Sequence, residues 1–157
     1  MKRTLIPVAV VAAAVLVFAV VNATAKDKPK SESGAIHVIE HATTDAVTNG
    51  SAADSAGNVL TFANDVFDSA NAKKVGSDQG YCIRIVVGKT WECNWTTFLS
   101  DGQITVEGPF SDTGNTVLAI TGGTGKYRNA GGSMELKYHN AAGTEFDFVF
   151  NLHGGDS

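Results

Sequence analysis

Proline is scarce in this chain, at 3 of 157 residues, and cysteine, tryptophan and methionine number 2 each. Charged residues make up only 18%. So little proline excludes a collagen-like or polyproline chain, and so little charge with 43% hydrophobic residues excludes a disordered tail. Two cysteines are too few to staple a coreless miniature fold. Long hydrophobic runs are missing except at 5–21, and no helical period persists after Val21. That leaves no amphipathic helix from which to build a bundle. A basic block is also missing. Of 12 basic residues Lys2 and Arg3 sit at the N-terminus, leaving 10 against 16 acidic ones. Phosphate neutralisation supplies most nucleic-acid affinity, so an acidic chain of this kind is not expected to bind nucleic acid.

The N-terminus carries a basic start (Lys2, Arg3), the apolar run, and then Ala23-Thr24-Ala25. These are the three parts of a secretory signal peptide, with cleavage expected after Ala25. An uncleaved anchor is the alternative, although 17 residues is short for a bilayer span. No cysteine lies nearby to take a lipid. The expected organisation is a signal peptide at 1–25, a flexible polar lead-in at 26–34, and one domain at 35–157. The product would be secreted, with no stable membrane insertion after cleavage. Export implies an oxidising compartment, where Cys82 and Cys93 tend to bridge.

Glycine is plentiful, at 17 residues, and it punctuates short runs of β-branched and aromatic residues. Eight runs read as strands: 35–43, 59–67, 79–87, 91–99, 103–108, 116–121, 132–140 and 144–153. The last two are the clearest. Met134, Leu136 and Tyr138 alternate with polar residues, Asn140–Gly143 turns the chain, and Phe146, Phe148, Phe150 and Leu152 alternate again. That is a hairpin with one apolar face. Many short strands at close spacing predict a sandwich or a closed barrel, and closure removes exposed edges. If Val87-Gly88 centres a turn, Cys82 lies opposite Cys93 with Arg84 and Trp91 on the same face. Cross-strand neighbours are close enough for a disulfide. Tyr81, Ile83 and Ile85 then face outward, and such an apolar outer wall calls for a terminal segment or another subunit as cover.

Other chemistry has little support. Gly122–Lys126 (GGTGK) lacks phosphate-loop spacing and no helix follows it. His37 and His41 are four apart, about 13 Å on a strand, and cannot chelate one ion by themselves. No nucleophile elbow is present. Neither a metal nor a cofactor is expected.

The segment 57–85, GNVLTFANDVFDSANAKKVGSDQGYCIRI, resembles the allene oxide cyclase family. So do ITVEGPF at 104–110, LAITGGTGKY at 118–127 and FDFVFNL at 146–152. The GGTG segment is shared with dirigent proteins. The resemblance implies an all-β, calycin-like, eight-stranded antiparallel barrel with an apolar cavity, often trimeric, so a homo-oligomer (trimer or dimer) is an expectation. It implies an apolar ligand, fatty-acid-like or polyketide-like, and an intramolecular cyclisation of isomerase type.

Residue by residue, Glu40 matches a family glutamate that stabilises developing positive charge. Asn64 matches an asparagine that holds a catalytic water; these two are the catalytic candidates. A second family asparagine corresponds here to Ala42. Cys82 matches a cavity cysteine, but Cys93 opposite offers it a disulfide. Phe110 replaces a tyrosine, and Phe110, Arg84, Trp91 and Trp95 are the ligand-binding candidates. Arg84, inside such a barrel, would want Glu40 or Glu107 as partner. The dirigent arginine after GGTG is missing, since Ala130-Gly131-Gly132 stands there, which disfavours radical coupling. A cyclase, a non-catalytic ligand-binding barrel and a structural barrel with a filled interior all remain open at this point.

Overall fold

The computed structural model describes residues 34–153. The signal-peptide reading and nearly all of the lead-in lie outside the described residues. Nine strands follow in chain order: β1 (Ile36–His41), β2 (Ala46–Asn49), β3 (Val59–Asp68), β4 (Lys74–Val86), β5 (Thr90–Leu99), β6 (Gly102–Ser111), β7 (Thr116–Gly123), β8 (Gly131–Tyr138) and β9 (Glu145–His153). A short 3-10 turn at Gly125–Tyr127 joins β7 to β8.

From β3 to β9 each strand pairs antiparallel with the next. β1 pairs with β9 on one side and with β3 on the other, which closes an eight-stranded antiparallel barrel. β2 pairs with β3 alone and is a ninth, extra strand. The eight strands read from the sequence correspond to the eight barrel strands. β2 escaped that reading because all four of its residues are exposed, so it has no apolar face to reveal its period. β4 also starts earlier than expected, at Lys74. The polar stretch Lys74–Asp78 is held by its pairing with β3 and β5 rather than by an apolar pattern.

The barrel interior is built by the period-2 alternation of every strand. Cross-strand register stacks the inward residues in tiers. One tier runs Asn64, Asp78, Thr97 and Ile104; the next runs Phe62, Gly80, Trp95 and Val106; the next runs Leu60, Cys82, Cys93 and Gly108; and Arg84, Trp91 and Phe110 complete the stack. Ile104, Val106, Met134 and Phe150 are wholly buried, and Phe148 nearly so. The outer face of β4 is apolar as expected: Tyr81, Ile83 and Ile85 are 47%, 39% and 54% exposed.

Gly80 sits directly opposite Trp95. A Cβ at that position would stand 2.3 Å from Trp95 Cβ and 2.4 Å from the Asn94 carbonyl oxygen. Backbone atoms cannot step aside as a flexible side chain can, so the tier has no room for a methyl group. Gly80→Ala is therefore expected to destabilise the domain by about 1–3 kcal/mol through overpacking. A melting curve within 1 °C of the parent would show that β4 and β5 can part at this point.

Candidate functional site

Inward side chains from β1, β3, β4, β5, β6, β8 and β9 leave a cavity inside the barrel. It contains about 440 Å³ of atom-free space, part of it open to solvent, and the centre of a water molecule can move through about 60 Å³ of it. The slot is thus narrow, with room for several waters or one compact apolar group. Its walls are mainly aromatic. Trp95 lies edge-on to Phe62 and packs against Phe148, and Phe110 lies edge-on to Phe146. The disulfide between Cys82 and Cys93 forms another part of the wall. The register expected from the turn is the one observed, and a bridged Cys82 has no thiol to offer.

Two carboxylates line this otherwise apolar slot, Glu40 and Asp45. Glu40 projects inward from β1 beside Phe146 and is 6% exposed. Asn64 stands behind it on β3, opposite Asp78 on β4. Asn64 Nδ2 donates to Glu40 Oε1 at 2.8 Å and to Asp45 Oδ1 at 2.7 Å. Its Oδ1 accepts the backbone N–H groups of Thr43 and Thr44, both at 3.0 Å. Carboxylates on one side and N–H groups on the other fix which way the amide points. Both amide hydrogens are thereby spent, so Asn64 has none left for a water. Through these bonds Asn64 ties the β1–β2 connection and Glu40 to the barrel wall.

Burial, and then the charge of Asp78, push the Glu40 carboxyl well above the usual carboxylate range. Burial pushes Asp78 up to about 7, against a hydrogen bond with Glu40 that lowers it. Burial also raises Asp45, at the exposed rim of the cavity. The orphaned atom nearby fits this picture. Asp78 Oδ2 is buried without a donor among the described N–H and O–H groups. The Glu40 carboxyl, bonded to Asp78, can supply one if it keeps its proton. Two carboxyl groups in apolar surroundings cannot both ionise cheaply, and one shared proton relieves them.

Arg84 is buried at 7% exposure, one tier above the disulfide. Its expected partners, Glu40 or Glu107, are not the ones it meets. Arg84 Nε donates to Asp54 Oδ1 at 2.7 Å and Nη1 to Asp112 Oδ2 at 2.5 Å. Its guanidinium lies 3.8 Å from the centre of the Trp91 ring. Asp112 Oδ1 also accepts the Trp91 indole N–H, and Asp54 Oδ2 accepts the Gly88 N–H. Asp54 and Asp112 lie in loops, whose approach in space no strand period reveals, whereas Glu40 and Glu107 lie in strands. The cluster ties the loop before β3, the β4–β5 turn and the β6–β7 connection to the barrel rim.

Of the residues singled out from the sequence, Glu40, Trp91, Trp95, Phe110 and the two cysteines share the cavity wall. Asn64 backs Glu40, and Arg84 stands outside the wall. Asp78 was missed although a signal existed: counting back by twos from Cys82 passes Gly80 and reaches Asp78 on the same inward face. Asp45 had no such signal, because it lies in the connection after β1. No trio of His, Cys, Asp or Glu among the described residues is arranged to hold a metal ion.

An antiparallel barrel with a narrow aromatic slot and a buried acid inside it belongs to the class of small-molecule cavity barrels. The chain belongs to the allene oxide cyclase family, whose family model matches residues 30–154. Among solved structures it is similar to a pyocyanin demethylase at 22% identity and TM-score 0.60, covering 74% of this chain and 100% of that one. It is similar to an exo-specific intermolecular Diels-Alderase at 18% identity and TM-score 0.62, covering 77% and 98%. A pterocarpan synthase dirigent protein matches at 22% identity and TM-score 0.60, covering 80% and 99%. At these identities the likenesses establish the shared fold.

Proposed function

We propose that this barrel binds an apolar small molecule in its slot and catalyses an intramolecular cyclisation or comparable rearrangement, with Glu40 as the acid. The observation that carries this reading is a carboxyl group held inside an aromatic slot by Asn64, where burial and then the charge of Asp78 raise it well above the usual carboxylate range. A neutral carboxyl in a dry site can hydrogen-bond to, or protonate, an oxygen of the substrate. The carboxylate left after transfer then faces the positive charge developing on the substrate, the role the family resemblance assigns to Glu40. An isomerisation returns the proton to Glu40, so nothing is consumed. The aromatic walls fold the substrate into a reactive shape, and that confinement contributes by proximity. The relatives named for a demethylation and a Diels–Alder reaction place varied chemistry in barrels of this kind.

Non-catalytic storage of an apolar molecule is the competing reading, favoured by the narrowness of the slot. One experiment separates them. Acyclic polyene epoxides and diene–enones are incubated with the parent protein and with Glu40→Gln, and products are resolved by chiral chromatography with mass detection. For a cyclase, turnover of a converted substrate falls about 100-fold or more in Glu40→Gln, while native mass spectrometry still shows the substrate retained. Retention by both proteins with no product above buffer would leave binding alone. Secretion and self-association through the exposed Tyr81–Ile85 face complete the proposal. The leader motif supports the first and the uncovered apolar wall supports the second, and the same native spectra of the exported protein read both.

A further inference from the structure

We propose that Asp112 is a positioning residue that fixes the Trp91 indole as a rigid wall of the slot, so that this side chain sets the largest ligand the barrel accepts. The inference rests on the cavity reading and adds to it the group that decides ligand size.

Trp91 lines the slot and is 7% exposed. Its indole N–H donates to Asp112 Oδ1 at 3.1 Å, and the Arg84 guanidinium lies on its ring, 3.8 Å from the centre. Asp112 holds both groups. Its Oδ1 takes the indole N–H and its Oδ2 takes Arg84 Nη1, so one carboxylate orders the ring and the cation resting on it. Asp54 Oδ1 accepts Arg84 Nε at 2.7 Å and anchors the guanidinium from a second side. Charge-assisted bonds of this kind are the strong ones, and they leave the cation little freedom.

Asp112 is itself well placed to hold. Its backbone N–H donates to the Lys89 carbonyl at 2.9 Å, and the carbonyl of its neighbour Ser111 accepts the Tyr138 hydroxyl at 2.9 Å. It lies in the connection after β6 and is not part of the cavity wall, so it reaches a ligand through Trp91. The phenylalanines of the wall have no polar atom to anchor. Phe110 and Phe146, for example, meet edge to face. Such a ring can turn when a larger ligand presses on it. Trp91 cannot turn without leaving a buried donor unpaired, which is costly. The slot is narrow, so room for a second ring has to come from a wall that moves.

Toluene and naphthalene read this limit, since they differ by one fused ring. Full-length protein labelled with 15N is titrated with each, and the indole resonances of the two tryptophans are assigned with Trp91→Phe. The quantity measured is the naphthalene affinity divided by the toluene affinity. Asp112→Ala is expected to raise this ratio about tenfold, by relieving an overpacking penalty. Trp91→Phe should raise it as well. Asp112→Ala added to Trp91→Phe should change it no further, because the two residues act as one unit. A ratio that Asp112→Ala leaves at the parent value overturns the proposal. An equal rise in the parent and Trp91→Phe backgrounds also overturns it, since Asp112 would then shape the slot by another route. Both results leave the cavity reading intact. If Asp112→Ala does not fold, hydrogen exchange in the parent decides. The Trp91 indole N–H should exchange as slowly with the slot full of toluene as without it, and faster exchange on filling would reveal a wall that gives way. Binding of neither probe by any variant removes the cavity reading and this inference with it.

Discussion

Lowering the pH from 8 to 5 is expected to stabilise the domain by a few kcal/mol. The cause is the acid pair beneath the slot. Asp78 titrates near 7 in the folded barrel against 3.8 when free of it, and Glu40 is raised in the same direction, in both cases mainly by burial. Between those values the folded state holds protons that the unfolded chain has released. Stability therefore falls as pH rises through that window and is fully present only below it. For Asp78 alone the interval corresponds to something on the order of 4 kcal/mol, at about 1.4 kcal/mol per pH unit. The gain stops near pH 4. There Asp68, lowered mainly by the Ala72 N–H, and Glu135, lowered mainly by Lys137, begin to lose interactions that need their charge. Denaturant titrations at pH 5, 6, 7 and 8 check the slope. Asp78→Asn is the control: its amide oxygen can still accept the Asn64 N–H that Asp78 Oδ1 now receives, and the slope should lose the share of Asp78 while keeping that of the buried Glu40. A profile that rises from pH 5 to 8 would mean that both carboxylates are ionised in the barrel and that Glu40 is not the proton donor proposed.

Removing the disulfide has the second large expected effect. Cys82 and Cys93 are 11 residues apart and face one another across the β4–β5 hairpin. Closing a loop of that length restricts the unfolded chain by about 3 kcal/mol. The double substitution Cys82→Ala, Cys93→Ala should lower the melting temperature by roughly 10 °C. Both sulfurs also belong to the cavity wall, so the variant should widen the slot next to Trp91 and Trp95. Reducing agent added to the parent protein should reproduce most of the loss without the widening. A shift below about 3 °C for both would show that the unfolded hairpin stays closed without its bridge.

Much of the barrel was legible in the sequence, and the reason is geometric. A strand shows its inward face every second residue, so Met134, Leu136 and Tyr138 against Phe146, Phe148 and Phe150 declare a hairpin before any coordinates exist. The same rule paired Cys82 with Cys93 and put Arg84 and Trp91 on their face, because register across a short turn is a local matter. β2 stayed hidden because it is exposed throughout and buries no alternating face. The wall of the site was legible in part for the same reason: Trp91 and Trp95 fall on inward positions of a run whose pattern is clear, whereas Phe110 lies beyond the run at 103–108 and was reached through the family resemblance.

The chemistry of the site depended on contacts between segments far apart in the chain. Glu40 in HVIEH could have faced either way, since polar and apolar residues alternate there without a clean face. Its pairing with β3 and β9 turns it inward. Only then does it meet Asn64 and Asp78, and burial among them raises its carboxyl above the usual range. Arg84 shows the same division. Its face followed from the hairpin, but its partners came from two loops, Asp54 and Asp112, while the acids proposed for it stand elsewhere. Periodicity is a property of neighbours along the chain, so the sequence alone determined the eight barrel strands, the faces of those with a clear apolar alternation, and the facing cysteine pair. Charge state and ion-pair partners depend on which distant groups share a dry space, and closure of the barrel decides that.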